Sequence, residues 1–177
     1  IEYGAGNRYA GAKGISTVAR TQSEKYPEIR ENILANAAQL FADKGYSGTT
    51  IVDLADSCGS SRGALYHYFD SKEDILFHIL KDHVDSMYNA VQEITQDLED
   101  PVEQFRAIVR TIVLFNARSL SEQIVLLNDL GELSEEQQSG IVNKQRKLVE
   151  IVSDALIRID SAHKLKTDNK KAYTMML

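Results

Sequence analysis

The run Ser61-Arg62-Gly63-Ala64-Leu65-Tyr66-His67-Tyr68-Phe69 holds the densest chemistry in the chain. Leu65 and Phe69 stand four apart, so in a helix they share the anchoring face. Arg62, Gly63, Ala64, Tyr66, His67 and Tyr68 are left to face outward. A planar guanidinium can donate two parallel hydrogen bonds to guanine O6 and N7, which makes Arg62 the strongest candidate for reading a base. Gly63 and Ala64 permit close approach to a duplex, and Ala64 can touch a thymine methyl. This pattern suits nucleic-acid recognition and not catalysis. The chain contains no nucleophile–base set, no GxxxxGK phosphate loop and no metal-ligand spacing. His78 and His83 are five apart, where a helical metal pair needs four. No cofactor and no metal are expected.

Such a probe must be held by its neighbours. Ser61 can cap a helix over Arg62–Phe69, and Gly59-Ser60 breaks the chain before it. Thr50 with Asp53 is a short-armed capping box. Ile51, Leu54, Ala55 and Cys58 follow at i, i+3, i+4 and i+7, which predicts a helix of about two turns, too short to stand alone. Cys58 lies on that stripe as a core residue. Upstream, Pro27 suits a first helical position, and Ile29, Ile33, Ala37, Leu40 and Phe41 form one apolar stripe that ends at Lys44-Gly45. A longer helix followed by two short ones across a tight glycine turn makes a helix-turn-helix unit. Its second short helix enters the major groove with its N-terminal residues against base edges.

The remainder also reads as helix, so the expected fold is all-α. Ser71 and Asp74 cap a helix from Lys72 to about Leu98, roughly 40 Å long. Asp100-Pro101-x-Glu103 opens another, apolar on most sides from Ile108 to Phe115 and therefore expected to be central and buried. Ser121–Leu130 is shorter and stops at Gly131, and Ser134 with Gln137 caps a long helix to about Ile159. Thr167 or Asp168 caps a last helix, which is still apolar at Leu177, so the C-terminal helices are expected to be truncated or incomplete. The expected organisation is a flexible, glycine-rich arm over 1–26, a helix-turn-helix headpiece over 27–72, and a helical regulatory and dimerisation domain over 73–177.

Charge and cysteine content narrow the setting. The net charge is −6, yet residues 1–72 carry eight Lys/Arg and eight Asp/Glu, so the acidity lies beyond the headpiece. One cysteine allows no intrachain disulfide and suits a reducing compartment. No apolar run approaches the roughly 20 residues of a membrane span, and Ile1–Gly14 lacks the apolar stretch of a secretion signal, so no membrane partner and a cytoplasmic location are expected.

The stretch Gly45-Tyr46-x-x-Thr49-Thr50-Ile51-x-Asp53-Leu54-Ala55-x-x-Cys58-Gly59-x-Ser61-Arg62-Gly63-Ala64-Leu65-Tyr66-His67-Tyr68-Phe69-x-Ser71-Lys72-Glu73-Asp74-Ile75-Leu76 resembles the N-terminal signature of TetR-type regulators. Ile33-Leu34-x-x-Ala37-x-x-Leu40-Phe41 is similar to that family's first helix, so the resemblance covers residues 29–77. Two positions depart from the usual pattern: Ser60 stands where an apolar residue is common, and Val52 where a polar one is. The resemblance implies a homodimer that binds a short inverted-repeat operator, usually as a repressor. A small molecule enters the C-terminal domain, the helix over Lys72–Leu98 swings, and the two headpieces lose their spacing. It further implies that Tyr66 and His67 meet phosphate or base edges, that Lys72 clamps a phosphate, and that Thr49 and Thr50 donate to phosphate. Ser61 and Tyr68 complete the DNA-facing set.

Leu130-Gly-Glu-Leu-Ser134 through Arg146 is similar to regulatory domains that sense acyl-thioesters or fatty-acid-like molecules, which implies a fatty-acyl or acyl-CoA-like effector. His83, Met87, Phe105, Ile108, Val109, Ile112 and Phe115 are candidate pocket residues, with Arg146 as a candidate partner for an anionic group. Two other readings share the headpiece. One is a DNA-binding or architectural protein without an effector, and the other is an interaction protein whose helix-turn-helix serves protein contacts.

Overall fold

A computed structural model describes the backbone of residues 15–160 and the side chains of residues 26–159. Seven α-helices follow in order over these residues: α1 (Ile15–Lys44), α2 (Ile51–Ser57), α3 (Arg62–Leu65), α4 (Lys72–Asp97), α5 (Pro101–Arg118), α6 (Leu120–Asp129) and α7 (Glu135–Asp160). A single 3₁₀ turn, Leu130–Glu132, joins α6 to the loop before α7. No strand occurs among the described residues, in keeping with the all-α expectation.

The caps form where the sequence places them. Thr50 accepts from the Asp53 N–H at 3.1 Å, while the Thr50 N–H donates to Asp53 Oδ2 at 2.8 Å. Ser71 accepts from the Asp74 N–H at 3.0 Å. Asp100 Oδ1 accepts from the N–H groups of Val102 and Glu103, with Pro101 next to the cap. Ser134 and Gln137 close the box that opens α7. Each bond satisfies an N–H that the first helical turn would leave without a partner.

The first helix departs from expectation. α1 begins at Ile15 and carries Pro27 within it, so residues 15–26 are helical where an arm was expected. The glycines that suggested an arm all lie at 4–14, and none stands between Ile15 and Lys44. Pro27 withholds one N–H from the ladder, yet the helix continues past it. Residues 1–14 lie outside the described residues, as does the expected last helix after Thr167. Ile29, assigned to the buried stripe, is 41% exposed; the stripe that packs is Ile33, Leu34, Ala37, Ala38 and Phe41.

One hydrophobic cluster joins α1, α2, α3 and the first half of α4 to Val125 and Leu126 of α6, Leu133 of the loop before α7 and Ile141 of α7. A second joins Met87 and Val91 of α4 to Ile108 of α5 and Leu148, Val152 and Ala155 of α7. α4 runs through both and links headpiece to body. Its buried face accordingly runs from Ile75 and Leu76 through Ile79, Leu80, His83 and Val84 to Met87 and Val91. α5 is less central than its composition suggests. Ile108 is buried, but Val113 and Leu114 are 60% and 43% exposed, because α4, α6 and α7 cover one side of it. Gln104, buried on α5, donates to the carbonyls of Thr95 and Leu98 and accepts from Arg158 at 2.8 Å, so it closes the C-terminal end of α4. No helix among the described residues is long and apolar enough to cross a membrane.

The turn between α1 and α2 depends on a close backbone approach. A Cβ on Gly48 would stand 2.6 Å from the Lys44 carbonyl oxygen. Gly48→Ala is expected to lower headpiece stability by about 1–3 kcal/mol, read from the midpoint of urea unfolding.

Candidate nucleic-acid interface and effector cavities

The α2–α3 corner is built from local chemistry. Gly59 adopts φ +59°, the Gly59 N–H donates to Asp56 O at 3.1 Å, and the Ser60 N–H donates to Ala55 O at 2.9 Å. This pair of bonds is a Schellman stop, which satisfies the last carbonyls of α2 and turns the chain sharply. Ser61 then caps α3, its hydroxyl oxygen accepting from the Ala64 N–H at 3.2 Å. Ser60 is exposed in the turn and packs nothing, so the departure from an apolar residue there leaves no hole. Val52 points outward from α2.

α3 is shorter than predicted. It covers Arg62–Leu65, and the chain then tightens, with the N–H groups of His67 and Tyr68 donating three residues back to Ala64 and Leu65. Leu65 and Phe69 are buried as expected. Ser61, Arg62, Gly63, Tyr66 and His67 are exposed, while Ala64 and Tyr68 are half-buried. Tyr66 is 53% exposed despite its large ring. Among the described residues, the Arg62 side chain takes part in no hydrogen bond or ion pair. The nearby cations differ: Lys44 pairs with Asp53 at 3.5 Å, and Arg30 pairs with Asp82 at 3.2 Å.

Three residues expected to contact DNA make bonds within the headpiece. Thr49 is buried, and its hydroxyl donates to Gly45 O at 2.8 Å. Thr50 is exposed, but its hydroxyl both caps α2 and donates to the Asp53 carboxylate, which this bond and the one from the Thr50 N–H hold below the usual pKa range. Of two adjacent threonines only one can face outward at the start of a helix, and here that one is the cap. Lys72 donates to the carbonyls of Tyr46 at 2.8 Å and Thr49 at 2.9 Å, and its ammonium lies 3.9 Å from the centre of the Tyr46 ring. Lys72 thus ties the start of α4 to the α1–α2 turn. Lys72→Met is expected to reduce stability by about 1.5–3 kcal/mol in chemical denaturation. A lysine engaged only with phosphate would leave the unbound protein's stability unchanged.

The Cys58 thiol is half-buried against the headpiece core, and burial pushes its pKa up, which makes it a packing group. Tyr26 is a contact the sequence reading missed. Its ring centroid lies 4.7 Å from Tyr68 and 6.3 Å from His67. Arg30, one turn on, places its guanidinium 5.4 Å from the Phe69 ring. Two α1 residues four apart therefore brace the turn that follows α3. That spacing was visible, but the helix was expected to start after Tyr26.

The candidate pocket residues do not line one cavity. His83 and Phe115 border a cleft of about 440 Å³ between α1, α4 and the α5–α6 corner, which also exposes Arg30, Asp82 and Glu122. Met87 and Ile112 border a separate cavity of about 210 Å³ between α4, α5, α6 and α7. Phe105 and Val109 lie on an open face of α5. Ile108 is fully buried core, and Arg146 is exposed and donates to Asn143 at 3.0 Å, away from these spaces. One face of α5 looks continuous in sequence, but α4 and α7 divide it. A link joins the first two spaces: buried His83 donates from Nε2 to Gln123 Oε1 at 3.1 Å, and Gln123 also lines the smaller cavity.

Comparison with known proteins agrees with this architecture. Residues 33–79 match the model for bacterial regulatory proteins of the tetR family, and residues 98–177 match a Tetracyclin repressor-like C-terminal domain. The transcriptional repressor KstR2 of Mycolicibacterium smegmatis is 30% identical over 118 residues, 67% of this chain and 58% of that protein. The match to KstR2 of Rhodococcus jostii spans 40% of that protein at 39% identity, so the aligned part of this chain spans about half the length of these relatives. A TetR-family regulator from Bordetella parapertussis superposes with a TM-score of 0.76 at 36% identity, over 84% of this chain and 77% of that one. AibR, crystallised with isovaleryl coenzyme A and operator DNA, superposes with a TM-score of 0.74 at 28% identity, over 84% and 80% of the two chains. With both family models matched in chain order on a headpiece assembled in this way, the chain belongs to the TetR family of DNA-binding transcriptional regulators.

Proposed function

We propose that two copies of this chain bind an inverted-repeat operator, usually to repress, and that a small hydrophobic or acyl-type effector releases them. The observation that carries the DNA half of this reading is Arg62, exposed and without a partner among the described residues at the start of a capped, anchored helix. Arg62, Gly63 and Tyr66 form the face that enters the major groove, with Ser61, Ala64, His67 and Tyr68 at its rim. In a dimer, two such faces must sit about 34–36 Å apart to meet successive turns of one side of the duplex.

The effector half rests on the body cavity and its link to α4. α4 begins at the headpiece and forms a wall of both spaces, each open to solvent. A ligand that competes for Gln123 loosens the hold on His83 and shifts α4 relative to α6, on which α1 sits. AibR carries an acyl thioester in its crystal structure, which supports the acyl-type branch of this reading. Selection from random duplexes followed by titration tests the whole proposal. The expected result is an enriched inverted repeat, two chains per duplex, and weaker binding when a small apolar compound is added. Enrichment of a single direct half-site, or affinity indifferent to sequence, would contradict it.

A further inference from the structure

Three aromatic rings close a triangle just past the end of α3. The Tyr68 ring centroid lies 4.7 Å from that of Tyr26 and 5.4 Å from that of His67, and the Tyr26 and His67 centroids lie 6.3 Å apart. Both contacts of His67 are edge-on, with interplanar angles of 78° and 86°, an arrangement that ring quadrupoles favour. Tyr26 and His67 are exposed and Tyr68 is half-buried, so the triangle sits at the surface. Tyr26 comes from another helix, α1, and precedes the residues 33–79 that match the family's headpiece.

His67 and Tyr68 stand on the tightened turn after Leu65, whose N–H donations to Ala64 and Leu65 fix its backbone. Those bonds do not fix the side chains. Among the described residues the His67 ring makes no hydrogen bond, so neighbouring rings are what orient it. α1 is itself held at this level, because Arg30 pairs with Asp82 of α4 and places its guanidinium 5.4 Å from the Phe69 ring centre. Tyr26 therefore offers a fixed wall to both rings of the turn. Side chains ordered before binding lose less freedom when they meet a duplex. Resting on the groove-facing reading of α3 above, we infer that Tyr26 is a positioning residue for operator binding. Its ring orders His67 and Tyr68 for contact with the sugar–phosphate backbone at the rim of the Arg62 face, and its hydroxyl takes no part.

Titration of the selected operator with the full chain, under conditions where each variant is folded, tests this. Tyr26→Ala is expected to weaken binding by about three- to tenfold. The loss should be equal for the operator and its single-base variants, because backbone contacts carry no sequence information. Tyr26→Phe should stay within about twofold of the parent, since it keeps the ring. With His67→Ala and Tyr68→Leu already in place, Tyr26→Ala should change affinity by less than about twofold. Should that background not fold, the proton resonances of the His67 ring replace it. Tyr26→Ala should move them in the free protein, and Tyr26→Phe should not. Parent-like affinity in Tyr26→Ala, an equal loss in Tyr26→Phe, a loss confined to one base position, a loss that persists without His67 and Tyr68, or unmoved His67 resonances would overturn the inference. Arg62→Ala keeps the two ideas apart. Lost preference there beside parent-like Tyr26→Ala keeps the reading of α3 and removes this inference. A His67-dependent loss in Tyr26→Ala beside an unaffected Arg62→Ala supports the rim contact and removes the base-reading role. A selection that enriches no operator overturns both.

Discussion

Arg62→Ala is expected to weaken operator binding by roughly five- to a hundredfold per half-site and to flatten preference at one base position. The expectation follows from what Arg62 does not do. Its side chain bonds to none of the described residues, so its removal is expected to leave the fold intact. Ser61 fixes the first turn of α3, and Gly63 beside Arg62 adds no side chain to block approach. The guanidinium therefore leaves a rigid base at a defined place, which bidentate contact with guanine requires. Arg62→Lys keeps the charge but loses the paired geometry, so it should retain non-specific affinity and lose most of the discrimination. Competition titrations against single-base operator variants measure both effects. Unchanged affinity and preference in Arg62→Ala would remove the base-reading role.

Leu65→Ala is expected to destabilise the headpiece by about 2–5 kcal/mol and to abolish tight operator binding without removing a DNA contact. Leu65 is 1% exposed and belongs to the cluster with Phe41, Leu54 and Leu76. Its carbonyl also accepts from the N–H groups of Tyr68 and Phe69, so it anchors the tightened end of α3 as well as its buried side. A four-residue helix has no stability of its own, and its position is that of its anchor. Denaturant unfolding should show the loss. Tyr66→Ala, three-dimensionally adjacent but exposed, should leave the unfolding midpoint within about 0.5 kcal/mol while weakening DNA binding. If Leu65→Ala proved as stable as the parent, the headpiece would not be held as described.

These contrasts show which parts of the molecule were legible in the sequence. Helix starts were, because a cap is local: Thr50 with Asp53, Ser71 with Asp74, and Ser134 with Gln137 are each within three residues of one another. The anchoring pair Leu65 and Phe69 was legible for the same reason. The length of α3 was not, because a tight turn after Leu65 keeps the same four-residue apolar spacing as a helix. The bonds that Thr49 and Lys72 make inside the headpiece were not legible, because their partners are carbonyl oxygens, which every residue has and no sequence pattern marks. The cavities were least legible. Whether Met87 and Phe115 share a space depends on how four helices cross, and α4 separates them.

Methylation interference on a selected operator addresses the groove-facing role of α3 most directly. Methylation at guanine N7 marks the major groove, and methylation at adenine N3 marks the minor groove. The expected pattern is strong interference at one or two N7 positions in each half-site, lost at one of them in Arg62→Lys, with adenine N3 methylation tolerated. Interference confined to adenine N3, or an N7 pattern identical in parent and Arg62→Lys, would show that the Arg62 face does not read the major groove.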